Sequence, residues 1–325
     1  MTRDALGAQD PAVVPETHVT PEDRRSTEPA AGRASSGEEP GAPSPRPAFW
    51  RRRPITLAAL LACAASAAAS FIPGVPFWLG AALVLCLGLP LLLGVVWEWS
   101  GSLPSRPAAA LFFAAASLAW ALSSLGVRAG WPWWLLHPAS SAALVAMTLV
   151  VGNWLAGELE RPGHLLPVCV IGALADLWSV LSGPTRQIGE RTAAHLEQAS
   201  AELARGGAPP PPPWPSFLVF HWPQVGGGGM ASLVGFGDLV FLALLLAGAR
   251  RFGLGAGRAL GLVASGLCLA MGLSLALGRP LPALPFLCGL FVLGNLPSLR
   301  LTRREWWITA AAAVLLGGLL LLSFP

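Results

Sequence analysis

After residue 23 the chain has only two aspartates, Asp176 and Asp238. Both stand inside long apolar runs, about 164–182 and 230–249, that contain no Lys or Arg to neutralise them. A carboxylate at bilayer depth costs about 2.5–3.5 kcal/mol on insertion scales and is rarely kept there without a function. Two such acids a few Å apart cannot both ionise cheaply, so they hold one proton between them. The ionised member can draw a proton from water while the protonated member hydrogen-bonds a developing oxyanion. The chemistry expected of Asp176 and Asp238 is hydrolysis of a peptide bond by an activated water, inside a membrane.

The elements that must carry these residues follow from composition. The 325 residues are 54% hydrophobic and only 12% charged, with arginine as the sole basic residue besides histidine and 14 tryptophans. A soluble domain carries about 25% charge. Apolar runs of 18 or more residues recur from residue 55 onward, which predicts an all-α polytopic membrane protein. Nine transmembrane helices are expected, at about 54–72, 77–97, 107–126, 135–157, 164–182, 230–249, 257–277, 281–298 and 306–324. Residues 1–50 are rich in Pro, Ala, Ser, Gly, Glu and Arg and are expected to be a disordered tail. Residues 51–325 form the membrane domain. Its one large connection, 183–229, holds an expected amphipathic helix at 186–205, the stiff Pro209–Pro213 spacer, a Trp-rich stretch from Trp214 to Val225 and the Gly226–Gly229 hinge.

Charge and small residues add detail. Arg51–Arg53 before the first span place the N-terminus in the cytoplasm, and eleven arginines fall on the expected inner side against five outside. The net charge of +4 reflects this loop bias, and no nucleic-acid partner is expected. The partners expected are the lipid bilayer and transmembrane segments of other proteins. The location expected is a bacterial inner membrane. Cys63, Cys86, Cys169, Cys268 and Cys288 lie in apolar runs without metal-ligand spacing, so neither disulfide, metal nor cofactor is expected. His137 reads as an interfacial residue beside Pro138, and Glu98, Glu158 and Glu160 as hydrated span ends. Gly253, Gly257 and Gly261, spaced at i, i+4, read as a close helix-packing seam.

The two acids are brought to one level by this layout. Asp176 lies about seven residues before the long connection and Asp238 about eight residues into the next span, so each sits about 10–12 Å from the same membrane face. Gly235 and Gly237 flank Phe236 just before Asp238 and leave bare backbone beside the carboxylate. On the same side, three prolines within Pro280–Pro285 interrupt the helix around Pro282, Ala283, Leu284 and Pro285. Irregular backbone at membrane depth survives only against protein or a wet cavity. A substrate helix must unwind to be cut, and its freed N–H and C=O groups need strand partners. The segments expected to pair with it are Leu281–Leu284 and Trp214–Val225.

Gly235-Phe236-Gly237-Asp238 resembles the Gly-x-Gly-Asp motif of presenilins and signal peptide peptidases. Pro282-Ala283-Leu284-Pro285 is similar to their Pro-Ala-Leu motif, and the segment from Asp176 to Pro184 resembles the presenilin stretch after its first catalytic Asp. The resemblance covers about residues 164–298. It implies a presenilin-like helical bundle that cleaves transmembrane helices with Asp176 and Asp238 as the catalytic pair. Pro282, Ala283 and Leu284 would shape the site. The family usually has Tyr where this chain has Ala175. It also has five spans before the first Asp and none after the Pro-Ala-Leu span, against four and one expected here. Two other readings of the acids stay open. One is a prepilin-peptidase-like enzyme, which also uses Gly-x-Gly-Asp. The other is a proton-coupled transporter with the aspartates as a relay.

Overall fold

The computed structural model describes residues 53–69, 72, 75–101, 105–130, 133–205, 217–223, 230–277 and 281–322. The expected N-terminal tail, Pro209–Pro213 and Gly226–Gly229 lie outside the described residues. In chain order the helices are α1 (Pro54–Ala69), α2 (Phe77–Leu83), α3 (Leu89–Trp99), α4 (Arg106–Arg128), α5 (Trp133–Glu158), α6 (Leu165–Leu181) and α7 (Pro184–Ala204). A β-hairpin of β1 (Val219–Pro223) and β2 (Met230–Gly235) follows, then α8 (Phe236–Arg251), α9 (Ala256–Leu277), α10 (Leu284–Asn295) and α11 (Arg303–Leu322). One π-helical turn, Val84–Gly88, joins α2 to α3.

Four helical stretches are long and apolar enough to cross a bilayer: Arg106–Arg128, Leu136–Glu158, Pro162–Leu181 and Ala256–Ser274. The chain is thus a mostly helical membrane protein, and Leu111, Leu118, Leu122, Leu293, Val314 and Leu315 are exposed on its outer faces. The expectation of nine spans is not met among the described residues. Pro54–Ala69, Val84–Trp99 and Leu284–Ser298 are apolar but shorter. A helix of 16 residues, such as α1 or α8, rises about 24 Å, less than the hydrocarbon core of about 30 Å. The chain is mostly helical, as expected of an all-α membrane protein, and a two-stranded hairpin interrupts it. Residues 230–235, taken as the start of the sixth span, form a strand instead.

The bundle is organised around α8, with ten of its sixteen residues buried. It packs on α3, α5, α6, α9 and α10. The closest approach uses Gly152 of α5: a Cβ there would lie 2.5 Å from the Ala243 Cβ and 2.7 Å from the Val240 carbonyl oxygen. Gly266 does the same for α9, where a Cβ would lie 2.6 Å from the Leu287 Cα. These two positions, rather than the expected Gly253/Gly257/Gly261 seam, let the helices meet. Gly257 and Gly261 have nothing within 4 Å, and Gly253 lies beyond the end of α8 with φ +64°. A Gly152→Val protein should melt at lower temperature, with a loss of about 1–3 kcal/mol from overpacking. Unchanged thermal unfolding in detergent would show that α5 and α8 can separate freely.

Polar groups close the end of the bundle remote from the hairpin. Arg250, in the last turn of α8, donates to the Ser100 carbonyl at 2.7 Å, with its guanidinium 4.0 Å from the Trp97 ring centre. Arg251 donates to the Ala156 carbonyl at 2.9 Å. Both arginines thus satisfy carbonyls left over at the C-terminal ends of neighbouring helices. Glu98 was expected to be simply hydrated. Its carboxylate instead accepts the Thr56 N–H at 2.9 Å and the Thr56 hydroxyl at 2.5 Å, capping α1. Glu158 pairs with Arg106 at 3.4 Å, both exposed.

Candidate functional site

Asp176 lies five residues before the C-terminal end of α6, and Asp238 lies in the first turn of α8. The expected depth of eight residues for Asp238 is corrected by the strand: the helix begins only at Phe236. The level is nonetheless shared. α6 and α8 are antiparallel, and their contacts run in register from Leu165 against Gly248, through Gly172 against Phe241, to Asp176 beside Asp238. The two carboxylates are close enough to interact directly through space.

Each carboxylate faces backbone donors, and the local sequence explains both. Gly235 is the N-cap of α8, which makes Asp238 its third helical residue. A side chain there can reach back to the N-cap N–H, as in one half of a capping box. The Asp238 carboxylate faces back toward the Gly235 N–H in this way. A Cβ on Gly235 would stand 3.3 Å from the Asp238 Oδ2. Gly235 is therefore matched to Asp238 itself, whereas Gly237 has nothing within 4 Å and is exposed, with open space beside it. Phe236 is half-buried at the helix start.

The Pro-Ala-Leu-Pro segment meets the other acid. Leu281, Pro282 and Ala283 are non-helical, as expected, and α10 starts at Leu284 with Pro285 in its first turn. The first N–H groups of a helix have no internal partner, and Pro supplies none. Between Pro282 and Pro285 only Ala283 and Leu284 offer donors. Leu284 donates to the Asp176 Oδ2 at 3.0 Å, and the Ala283 N–H faces the same carboxylate. Asp176 thus caps α10, at the end where the helix dipole favours negative charge. The Leu284 N–H, in the segment expected to pair with a substrate strand, is thus taken by Asp176 in this structure. The Leu284 side chain is buried.

Within the Trp-rich stretch before the second acid, Val219–Pro223 forms β1 and pairs with β2. Val219 lies opposite Gly235, Phe220 opposite Val234 and His221 opposite Ser232, which leaves Leu233 as the extra residue of a bulge. Bulges increase local twist and recur beside active sites. β1 is fixed from the far side by α5: the His221 N–H donates to the Ser141 hydroxyl at 3.0 Å. Trp222 donates to the Ser66 hydroxyl at 3.3 Å and lies on Gly88, where a Cβ would be 3.0 Å from its ring.

Two histidines outside the expected site meet each other. His137 was expected at an interface. It is stacked on Phe217 with ring centres 5.5 Å apart, and its ring centre is 5.3 Å from that of His221. Burial, with His137 beside it, pushes His221 down to about 4, so it is neutral at ordinary pH. No spacing rule could have paired residues 84 positions apart. Cys169 of α6 and Cys288 of α10 are buried, with their thiols facing each other. Among the described residues no three His, Cys, Asp or Glu side chains gather as metal ligands.

A cavity of about 1110 Å³ opens between α1, α3, α4 and α5. It runs from Asn153 to Pro138 along α5, about 22 Å at helical rise, and alanines dominate its walls. Neither aspartate lines it. Its end wall is Phe220, His221 and Trp222 of β1, the strand that pairs with β2 and so borders Asp238. Comparison with protein-family models, with curated proteins and with solved structures found no match to this chain.

Proposed function

We propose that this chain is an intramembrane aspartyl endopeptidase, related to presenilins and signal peptide peptidases, that cleaves transmembrane helices of other proteins. The observation that carries the reading is the meeting of three separate sequence features at one point. Asp176, Asp238 and the Ala283–Leu284 donors come from α6, α8 and α10, far apart in the chain. A proton relay would not need its two carboxylates adjacent, nor one of them capped by a proline-bracketed turn. The membrane proposed is a bacterial inner membrane, with the N-terminus in the cytoplasm.

In the mechanism the pair holds one proton. The ionised member removes a proton from water, and the oxygen of that water bonds to the peptide carbonyl carbon. The protonated member hydrogen-bonds the carbonyl oxygen as its charge grows. Collapse of the tetrahedral intermediate breaks the C–N bond, and a proton passes from the pair to the leaving nitrogen. The apolar cavity suits an incoming helix, and β1 at its end leads toward the acids. Among the described residues β2 pairs with β1 along one edge only. Its other edge can receive the unwound substrate segment, which takes the pairing role expected of Leu281–Leu284.

The test is direct. The purified protein in proteoliposomes is incubated with a panel of transmembrane peptides, and the products are sequenced. Cuts inside the apolar segments are expected; an intact panel counts against the reading. Rate against pH should be bell-shaped. Activity falls in acid as the charged carboxylate takes up a proton, and in alkali as the shared proton is lost. A rate independent of pH from acid to alkali would point to other chemistry.

A further inference from the structure

We propose that Phe241 and Gly172 are the spacer that sets the gap between the two carboxylates, a positioning role that rests on the protease reading above. Phe241 is three residues after Asp238 on α8, and Gly172 is four residues before Asp176 on α6. Each therefore shares a helix face with its acid, one turn away. In the antiparallel pair they meet about 6 Å along the axis from the carboxylates. Gly172 is buried, and a Cβ on it would overlap the Phe241 ring. The ring thus rests on bare α6 backbone, and its thickness fixes how far α6 stands from α8.

The far end of the same interface is built in the reverse sense. There Leu165 of α6 lies over Gly248 of α8, where a Cβ would be 3.1 Å from the Leu165 Cδ2. Two contacts, each a large side chain on a glycine, hold the helices at two levels. The carboxylates cannot take up a change in helix spacing by swinging. Asp176 is tied to the Leu284 N–H at 3.0 Å, and Asp238 stands against Gly235 in the first turn of α8, where a Cβ on Gly235 would be 3.3 Å from its Oδ2. Helix separation is converted into carboxylate separation.

Other titratable groups stand on the elements packed around the pair: α7, which packs on α6, carries Arg186, Glu190 and Arg191 in its first two turns, and α11 carries Glu305, paired with His164 at the far end of α6. α6 brings Cys169 and α10 brings Cys288, facing each other. β1 brings His221, and β2 brings none. Arg250 and Arg251 are at the opposite end of α8, about 18 Å along the axis.

Gly172→Ala adds a methyl group that must displace the ring and move the acids apart. A misplacement near 1 Å can cost about 10²-fold. The expected result is a fall of about 10–100-fold in kcat with KM changed by less than about threefold. The two limbs of the pH profile should also draw together, since separated carboxylates interact less. Adding Phe241→Leu should restore both to within about threefold of the original protein. A second readout needs no substrate: infrared titration of the carboxylic acid band, assigned by its loss in Asp176→Asn and Asp238→Asn.

If Gly172→Ala unfolds the protein, Phe241→Leu alone replaces it. That change lets the helices close, and the two proton-binding steps should spread. Unchanged kcat and unchanged step spacing in these variants would overturn the spacer. So would a double variant that regains stability without regaining the step spacing. If no peptide is cut by any variant but the infrared steps shift as described, the spacer stands and the protease reading falls.

Discussion

Asp176→Asn and Asp238→Asn are each expected to lower proteolysis by about 10²–10⁴-fold, the range for a positioned acid or base. Asparagine keeps the shape of the side chain and an oxygen toward the Leu284 N–H or the Gly235 N–H. It cannot carry the shared proton or the charge. Expression should hold, because a neutral amide costs less to place in a membrane than a carboxylate. The double variant should be no worse than either single one, since the pair acts as a unit. Turnover by either purified single variant at the original rate would remove the pair from the chemistry.

A second large loss is expected at Leu284, which is 5% exposed and whose N–H bonds Asp176. Leu284→Arg sets a guanidinium beside the pair. That charge would keep a carboxylate ionised and end proton sharing, with a loss of about 10²-fold or more. Leu284→Met keeps the volume and the N–H, and should stay within a few-fold, at a stability cost below about 1.5 kcal/mol. The contrast between the two separates electrostatics from packing. Cleavage by the Leu284→Arg protein at the original rate would place this turn away from the reacting bond.

How much of this could be read beforehand depends on the kind of signal. The isolation of Asp176 and Asp238 is a matter of charge against apolar surroundings, and that is visible one residue at a time. The break at Pro282–Ala283 follows from proline geometry and is equally local. The amphipathic stretch at 186–205 likewise forms a helix, Pro184–Ala204. Met230–Gly235 was misjudged because a six-residue apolar run shows no decisive period, and a strand and a helix end look alike. Its partner is Val219–Pro223, and the pairing is a tertiary fact. The glycine seam failed for a related reason: spacing marks a possible contact face, but only the fold decides whether a helix lies opposite. Gly152, Gly172, Gly248, Gly266 and Gly294 are among the glycines that meet one. The use of the Leu284 N–H as donor to an acid more than a hundred residues away required the three-dimensional arrangement.

β2 ends at Gly235 and α8 begins at Phe236, with no loop residue between them. The Asp238 carboxylate faces back across this junction to Gly235, where a Cβ would stand 3.3 Å from its Oδ2. A strand and a helix joined this way behave as one lever, with the acid at its fulcrum. Whatever pulls β2 sideways, stiffens it or adds to its outer edge also turns the first helical turn, because no slack segment lies between to absorb the motion. Engagement of a polypeptide at the hairpin and alignment of the Asp238 oxygens would then be a single mechanical event. Peptides that dock without extending along the strand would leave the acid unaligned, and selection among them would fall on their capacity to unwind.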